Sequence, residues 1–456
     1  MKIVLVHPAP KIWTKAALIP LGLAYIAAYL EKNGFSDIKI VDYNIEPEAL
    51  LPKADIVGIT ATTPLIKSAW RIAQQAKKGG AITVLGGPHV SALPEESAKL
   101  PQIDFVCFGE GEETMLELCR MIEKRKENFE KIKGLCFKKK GKLIWTPPRP
   151  LIRNIDRLPF PAYHLFDLRK YTSTQPLIST RKPAVGILTS RGCPFGCRFC
   201  YKGVFGRVWR PRSVENVLKE WEYLVRELKV KEIALMDDGF NIDIERAIKI
   251  CQEIKKRRLV VPWRAHNGIR ADRAPKKLLR AMKESGCYFI SFGIESRVQR
   301  VLRLMGKDLQ LRDVVNSFKS CRELGILTMG FFVIGYPGET KKEIRQTIDF
   351  SLKLDPDFAQ FSVATPFPGT QIFDLLRKEG KIRVFDWDKY SQFDQRGYFD
   401  YGELRAEEVA FLSNQAYKKF YLRPKVILGL LKRKETWLNL SNVIAGGFHY
   451  LFMRDI

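Results

Sequence analysis

The chain has 456 residues, with 77 Lys and Arg against 50 Asp and Glu, a formal charge of +27. At ~100–200 residues per domain that length gives two or three domains, and 46% hydrophobic with 28% charged residues excludes disorder as the main state. No apolar run reaches the ~18 residues of a spanning helix, and the opening MKIVLVHPAP has neither a charged leader nor a small-residue cleavage site, which argues against secretion. The positive charge fits a nucleic-acid partner, an anionic membrane or a lysine-rich surface, and charge alone does not choose. Three of the nine cysteines crowd into eight residues, which points to metal or redox chemistry rather than a disulfide framework.

Residues 1–135 alternate apolar β-rich runs with amphipathic stretches. The runs 2–8, 38–44, 55–61, 81–87 and 104–110 read as five strands, nearly continuous in apolar character as strands covered on both faces are. Helical periodicity falls on 20–33, 64–78, 94–99 and 112–125. This rhythm predicts an α/β domain, a doubly wound parallel sheet with ligands at the carboxyl ends of its strands. Small and turn-forming residues gather at those ends: Thr60, Thr62 and Thr63, then Gly86-Gly87-Pro88-His89, then Gly109-Glu110-Gly111.

Residues 136–182, with Pro147, Pro148, Pro150, Pro159 and Pro161, read as a linker or wrapping arm. A second βα series follows, with strands at 184–190, 231–237, 261–267, 287–294, 326–334 and 357–364. Helices follow each of them, at 213–229, 243–258, 275–285, 310–324, 340–353 and 370–379. Six units predict a partial (β/α)6 barrel over 183–400, with its working residues at the C-terminal strand ends. Residues 401–456 are basic, aromatic-rich and mainly helical.

The first strand of this series leads into TSRGCPFGCRFCYKG, where Cys193, Cys197 and Cys200 stand as C-x3-C-x2-C. A tetrahedral zinc site closes with four ligands, and no His or Cys nearby completes one. Three thiolates suit three irons of a 4Fe-4S cluster, leaving the fourth iron open. Structural zinc with a remote fourth ligand is the alternative on spacing. Gly192 and Gly196 let the loop wrap, and Phe195 and Phe199 can shield it from water. The other six cysteines (107, 119, 136, 251, 287, 321) share no ligand spacing and read as small buried apolar residues.

With these strand ends, the sequence resembles the radical S-adenosylmethionine superfamily. The resemblance implies that Cys193, Cys197 and Cys200 hold the cluster and that its open iron chelates the amino and carboxylate groups of S-adenosylmethionine. One-electron cleavage of the sulfonium then gives a 5′-deoxyadenosyl radical. Phe199 is implied beside the adenine, and Asp237 and Asp238, in the M-D-D-G-F run 236–240, against the methionyl amine. Glu295, in S-F-G-I-E-S (291–296), is implied at the ribose hydroxyls, where a carboxylate is a sound acceptor. Arg270, after the third strand, could pair with the carboxylate of S-adenosylmethionine or be an ordinary surface arginine. Gly338, Thr340 and Thr370 read first as turn and cap residues.

A doubly wound domain ahead of such a barrel, with G-G-P-H after the fourth strand and G-E-G-E after the fifth, is similar to the cobalamin-binding subfamily. PLGLAYIAAYL (20–30) and RLPFPAY (157–163) are similar to it too, so the resemblance covers residues 1 to about 400. It implies a corrin lying across the strand ends, over Thr60, Thr62, Gly86, Gly87, His89, Gly109 and Glu110. Many cobalamin proteins ligate cobalt through a His in a D-x-H-x-x-G loop. This chain lacks that loop, as enzymes of the subfamily often do, and the lower ligand goes unnamed. His7 and His89 stand near these strand ends and read as turn or polar-wall residues. The lack of G-x-G-x-x-G after the first strand argues against a nicotinamide or flavin.

The reaction implied is removal of a hydrogen atom from an unactivated carbon of a small or lipid- or isoprenoid-like substrate, then methylation through cobalamin. S-adenosylmethionine is consumed twice, and electrons come from an external flavodoxin- or ferredoxin-type reductant. Radical cyclisation or carbon–carbon coupling on a lipid or pigment is an alternative the motifs do not separate. A tRNA-modifying methylthiotransferase ranks below both. Cys107, Cys119 and Cys136 do not sit at successive strand-end loops and the C-terminus shows no compact RNA-binding barrel, so nucleic acid is not the expected partner. A non-catalytic corrin sensor would leave the intact cluster motif without a purpose.

Residues 417–434 mix basic clusters with Tyr, Leu and Ile, and 443–453 are mostly apolar. The simpler reading is a helix over the barrel's open side. The other is a segment lying on an anionic bilayer, which would put a cytoplasmic protein in peripheral contact with the inner membrane face.

Overall fold

Valine, isoleucine and leucine dominate the runs Ile3–His7 (β1), Ile38–Asp42 (β2), Ile56–Thr60 (β3), Ile82–Gly86 (β4) and Phe105–Cys107 (β5). All five lie in one parallel sheet in the order β2-β1-β3-β4-β5. The computed structural model describes residues 1–9, 17–172, 177–391 and 396–438. Helices Leu21–Lys32 (α1), Ile66–Lys78 (α2), Pro88–Ala92 (α3), Pro94–Ala98 (α4) and Glu112–Glu123 (α5) connect and cover the strands. The alternation along β1 shows why the runs are apolar throughout. Ile3 and Leu5 pack with Leu23, Ala27 and Met115, while Val4 and Val6 join the core that holds Ala69 and Ile72. The strand order reverses direction between β1 and β3, and ligands of open α/β sheets bind in the crevice at such a point.

The sheet continues past β5. Leu135–Lys139 (β6) and Lys142–Trp145 (β7) extend it as antiparallel strands, so the stretch from 136 to 145 belongs to the sheet and not to the expected linker. Lys140 and Gly141 take φ of 49° and 78°, the positive-φ pair of a two-residue type I′ hairpin. Lysines at 138, 139, 140 and 142 keep this edge soluble and discourage further pairing. The proline-rich arm then wraps back, with Ala162 N donating to Ala24 O at 3.0 Å and the Tyr163 hydroxyl donating to Glu220 Oε1 at 2.6 Å.

The second half begins with Ala184–Ile187 (β8) and a two-residue antiparallel ladder, Ser190–Arg191 (β9) with Arg210–Pro211 (β10). Glu232–Leu235 (β11), Trp263–Arg270 (β12), Cys287–Glu295 (β13), Leu327–Ile334 (β14) and Phe358–Val363 (β15) complete the set. The order β8-β11-β12-β13-β14-β15 is parallel throughout, the arrangement of a partial (β/α)6 barrel. Helices Val214–Glu222 (α6), Ile244–Lys256 (α7), Lys276–Glu284 (α8), Gln299–Leu304 (α9), Leu311–Glu323 (α10), Lys341–Leu354 (α11) and Gln371–Lys378 (α12) run between and after the strands. Thr340 closes a capping box with Glu343 at the start of α11, and Thr370 caps α12, so both threonines serve helix ends.

Among the described residues three further helices follow: Ala406–Tyr421 (α13), Pro424–Leu431 (α14) and Lys434–Leu438 (α15). α13 lies along the edge strand β15. The Tyr421 hydroxyl accepts from Ala359 N at 3.1 Å and donates to Ala359 O at 2.8 Å, and the Tyr417 hydroxyl accepts from Phe361 N at 3.1 Å. Ser413 Oγ donates to Phe361 O at 3.3 Å. Phe420 is fully buried, and Arg423 stacks over it while pairing with Asp355 at 3.1 Å. Residues 413–423 therefore pack onto the barrel's last strand. No helix among the described residues is long and apolar enough to cross a membrane. Ile427, Leu428 and Leu431 of α14 are exposed, and the apolar stretch 443–453 lies outside the described residues.

Glu339, in the loop after β14, is buried. Its Oε2 accepts from Gly335 N at 2.8 Å and Tyr336 N at 3.1 Å, while Oε1 is buried without a partner. Burial pushes its carboxyl up to about 8. The unfolded chain releases this proton in the ordinary carboxyl range and the folded chain holds it to about pH 8, so stability falls as pH rises through that window. Glu339→Gln is expected to unfold at the parental temperature near about pH 5 and at a higher temperature than the parent at about pH 9. Thermal unfolding at both pH values checks this, and equal shifts at the two refute it.

Candidate active site

The cysteine loop is pinned where it leaves β8. The Asp237 carboxylate accepts from Thr189 N, Thr189 Oγ1 and Ser190 Oγ, each at 2.6 Å. Gly192 takes φ 79°, and a Cβ there would stand 2.3 Å from Val208 O, so the turn into the motif admits only glycine. Further along, Arg198 N donates to Met305 O at 2.8 Å and Ile372 N donates to Arg198 O at 3.3 Å. Backbone bonds thus fix the loop's middle to two neighbouring barrel segments.

Cys193, Cys197 and Cys200 are free thiols, the first two half-buried and the third exposed. Burial pushes the Cys197 and Cys200 thiols up, and Lys202 Nζ, 3.2 Å from Cys200 Sγ, works against that rise without cancelling it. Among the described residues no group of three or more His, Cys, Asp or Glu side chains is gathered closely enough to hold a metal ion, so the three thiols are not drawn together in this structure. The donor set itself, three thiols on one loop with no histidine beside them, is chemically suited to an iron–sulfur cluster that keeps an open iron.

The residues expected around S-adenosylmethionine divide. Asp238 opens into a cavity shared with Cys193 and Cys200. Asp237, one residue earlier, is buried and spends its carboxylate on Thr189 and Ser190, so it supports the loop and does not face the cavity. Arg270 is likewise not a free cation. It pairs with Asp272 at 2.9 and 2.7 Å, donates to Asp308 O, and stacks 4.0 Å over the Phe195 ring. Glu295 sits in the left-handed region at φ 67°, held by Lys307 Nζ at 2.7 Å, a conformation that persists only where surrounding contacts dictate it. Phe199 packs partly buried against the main core.

The expected corrin positions also gather, with one exception. Thr60, Thr62, Gly86, Gly87, Gly109 and Glu110 line the same cavity of about 550 Å³ as Cys193, Cys200, Lys202 and Asp238. Leu5 and Gly58 of the sheet, Leu23 and Ile26 of α1 and Met115 of α5 line it as well. A Cβ on Gly58 would stand 2.9 Å from Leu5 Cδ2, so a bare backbone keeps the cavity open here. A lining that combines small strand-end residues with apolar side chains suits the flat, largely apolar face of a macrocycle. His89 is the exception. Its ring is buried, with Nδ1 3.2 Å from Thr63 Oγ1, Nε2 2.9 Å from Glu96, and its edge against Trp387, so both nitrogens are engaged away from the cavity.

Glu110 has more to do than line a wall. Arg191 Nη1 donates to Glu110 at 2.8 Å and Arg191 Nη2 to Glu112 at 2.6 Å, while Arg210 Nη1 reaches both Glu110 oxygens at 3.0 and 2.8 Å. All four side chains are buried, and Arg191 is flanked by the Tyr25 and Phe205 rings at 4.9 and 5.2 Å. This group joins the G-E-G-E loop of the first sheet to the residues just before Cys193. Sequence reading missed Arg191, Arg210, Lys202 and Lys307. Arg191 and Lys202 flank the cysteine motif and were visible as charges beside it.

Against known proteins, the B12 binding domain family matches residues 14–119 and the Radical SAM superfamily matches residues 187–351. An uncharacterized methyltransferase of Pyrococcus horikoshii is 38% identical over 444 residues, 94% of each chain. The anaerobic magnesium-protoporphyrin IX monomethyl ester cyclase of Rubrivivax gelatinosus is 29% identical over 439 residues, 91% of this chain and 78% of that one. Among solved structures, the cobalamin-dependent S-adenosylmethionine radical enzyme OxsB, with aqua-cobalamin and S-adenosylmethionine bound, shares the fold with a TM-score of 0.74 at 17% identity, over 100% of this chain and 75% of that one. Two family matches in this order, with a relative 38% identical over 94% of its length, place the chain in the cobalamin-dependent radical S-adenosylmethionine methyltransferase family, enzymes that work with a 4Fe-4S cluster, S-adenosylmethionine and cobalamin.

Proposed function

We propose that this protein methylates an unactivated carbon of a small or lipid-like substrate inside the cavity between its two sheets. The observation that carries the reading is that Cys193, Cys200 and Asp238 share that cavity with Thr60, Thr62, Gly86, Gly87 and Gly109. When bound, the cluster and cobalamin supply an electron for the sulfonium of S-adenosylmethionine and a methyl group for the substrate carbon.

The chain's own residues bind, orient and exclude water. Cys193, Cys197 and Cys200 hold the cluster, and Asp238 accepts from the methionyl ammonium of S-adenosylmethionine. Phe199 packs beside the adenine, and Glu295, neutralised by Lys307, receives the ribose hydroxyls. Thr60, Thr62 and the three glycines floor the corrin. Asp237, Arg270, His89 and Glu110 act one step back, as positioning residues. Leu21, Leu188, Val204 and Phe205 wall the cavity with apolar surface, which keeps water from a reactive carbon radical. An external one-electron donor of flavodoxin or ferredoxin type reduces the cluster.

Cyclisation is the second reading, supported by the identity shared with the magnesium-protoporphyrin ester cyclase. The test is anaerobic reconstitution with iron, sulfide and cobalamin, followed by methyl-labelled S-adenosylmethionine, a reductant, and a lipid and small-molecule extract as substrate source. Equal yields of 5′-deoxyadenosine and S-adenosylhomocysteine, with label in a product, are expected. 5′-Deoxyadenosine without S-adenosylhomocysteine would favour cyclisation, and neither product would sink both readings.

A further inference from the structure

Of the fourteen large apolar side chains exposed among the described residues, six fall within 422–438: Leu422, Ile427, Leu428, Leu431, Trp437 and Leu438. The segment that carries them is anchored. Val426 is buried, and Leu430 packs against the cluster that holds Phe358 and Met329. Arg433 stacks 5.3 Å from the Phe358 ring and donates to Ile178 O at 3.3 Å. Trp437 Nε1 donates to Leu431 O at 2.7 Å, which ties α15 back to α14. Val426 and Leu430 are four residues apart and share the inner face of α14, so Ile427, Leu428 and Leu431 are held outward by a helix that cannot roll them under. Phe358 is the first residue of β15, which puts this face at the amino end of the barrel, away from the cysteine loop.

Charge on the segment is one-sided. Residues 418–438 hold seven Lys and Arg and a single acid, Glu435, which is buried. The arginines turn to the barrel: Arg423 sits on Phe420 and Asp355, and Arg433 on Phe358. The lysines Lys419, Lys425, Lys432 and Lys434 are exposed. Lys425 shares its one acid, Asp355, with Arg423. Lys425 and Lys432 stand three residues before and four after Leu428, the spacing that borders one helical face with cations. Interfaces between proteins are depleted of lysine. Leucine and isoleucine bordered by lysines, with a tryptophan at the edge, are the make-up of a segment lying on anionic lipid.

We propose that the outer face of α14 and α15 docks on an anionic lipid bilayer. Leu428, Leu431 and Trp437 enter the headgroup boundary, and Lys425, Lys432 and Lys434 meet the lipid phosphates. The cavity at the carboxyl ends of the strands stays clear of the contact.

The test floats the full chain with vesicles of phosphatidylcholine alone and of phosphatidylcholine mixed with phosphatidylglycerol. The parent is expected to float with the anionic vesicles, weakly with the neutral ones, and less at high salt. Leu428→Glu with Leu431→Glu lowers anionic binding at least roughly tenfold, and Lys432→Gln with Lys434→Gln lowers it roughly tenfold. Brominated lipid quenches the parent's tryptophan fluorescence, and Trp437→Phe removes that quenching. A parent that does not float with anionic vesicles overturns the proposal. So does flotation undiminished in the leucine variant, or quenching undiminished in Trp437→Phe, since either puts the lipid contact elsewhere on the chain. A parent that is dimeric, ignores lipid and becomes monomeric in the leucine variant also overturns it, because the face then joins two copies. Parental circular dichroism is expected of every variant, all being changed at exposed positions, and the salt and quenching results stand if the leucine variant fails to fold.

Discussion

Cys197→Ala, reconstituted with iron and sulfide and without cobalamin, is expected to yield a colourless protein that does not cleave S-adenosylmethionine. Cys197 lies between two other thiols on a loop that Met305 and Ile372 clamp by backbone bonds at the very next residue, so no neighbouring cysteine can swing in to replace it. The remaining six cysteines are buried and spread over other elements, and burial raises the thiols of Cys107, Cys119, Cys251 and Cys321 to about 12, far from the thiolate a metal needs. Two ligands do not hold a cluster that normally takes three or four. The expected loss in 5′-deoxyadenosine formation is at least roughly a thousandfold, equal to about 4 kcal/mol of barrier. Visible absorbance after anaerobic reconstitution and product assay measure it, with Cys119→Ala as the control that keeps its colour. Parental absorbance from Cys197→Ala would remove the cluster assignment.

Arg191→Met should cost about 3–5 kcal/mol of stability, the price of leaving a buried charge uncompensated. Arg191 and Arg210 together balance Glu110 and Glu112 with all four side chains out of water. Removing one arginine leaves two carboxylates facing one cation, and Glu112 loses its 2.6 Å partner outright. The pairing of Arg191 with Met is chosen because the side chain keeps its bulk between Tyr25 and Phe205, so the loss is electrostatic rather than a cavity. Arg191→Met with Glu112→Gln restores neutrality and should recover part of the loss, because removing both partners is cheaper than removing one. Urea unfolding of the parent, both single variants and the double variant gives the coupling. A single-variant cost below about 1 kcal/mol, or a double variant no better than the single, would show that the group is not the brace described.

Much of this was legible because the chemistry is written in local spacing. The cysteine triad, the six strand ends of the barrel and the glycine-rich ends of the first sheet all come from motifs or from the alternation of apolar runs. What escaped was set by facing and by distant partners. Asp237 and Asp238 are adjacent, and only the turn after β11 decides that one carboxylate meets Thr189 and Ser190 while the other meets the cavity. His89 follows a glycine pair at a strand end, but Glu96 and Trp387, the latter nearly three hundred residues on, claim its ring. Arg270 looked available because nothing in sequence shows that Asp272 folds back onto it. The β6–β7 hairpin was hidden by its lysines, which lower apolar content on the strand edge where a soluble protein needs them.

The tyrosines of α13 have a consequence for what this protein can take hold of. A six-stranded barrel that does not close has a last strand, and the outward amide and carbonyl groups of such a strand ordinarily invite an extended chain to lie alongside. Here Tyr417, Tyr421 and Ser413 occupy those groups at Ala359 and Phe361. A peptide, or a second copy of the chain, meets engaged backbone groups at these two residues. Recognition by strand addition is therefore closed off at Ala359 and Phe361.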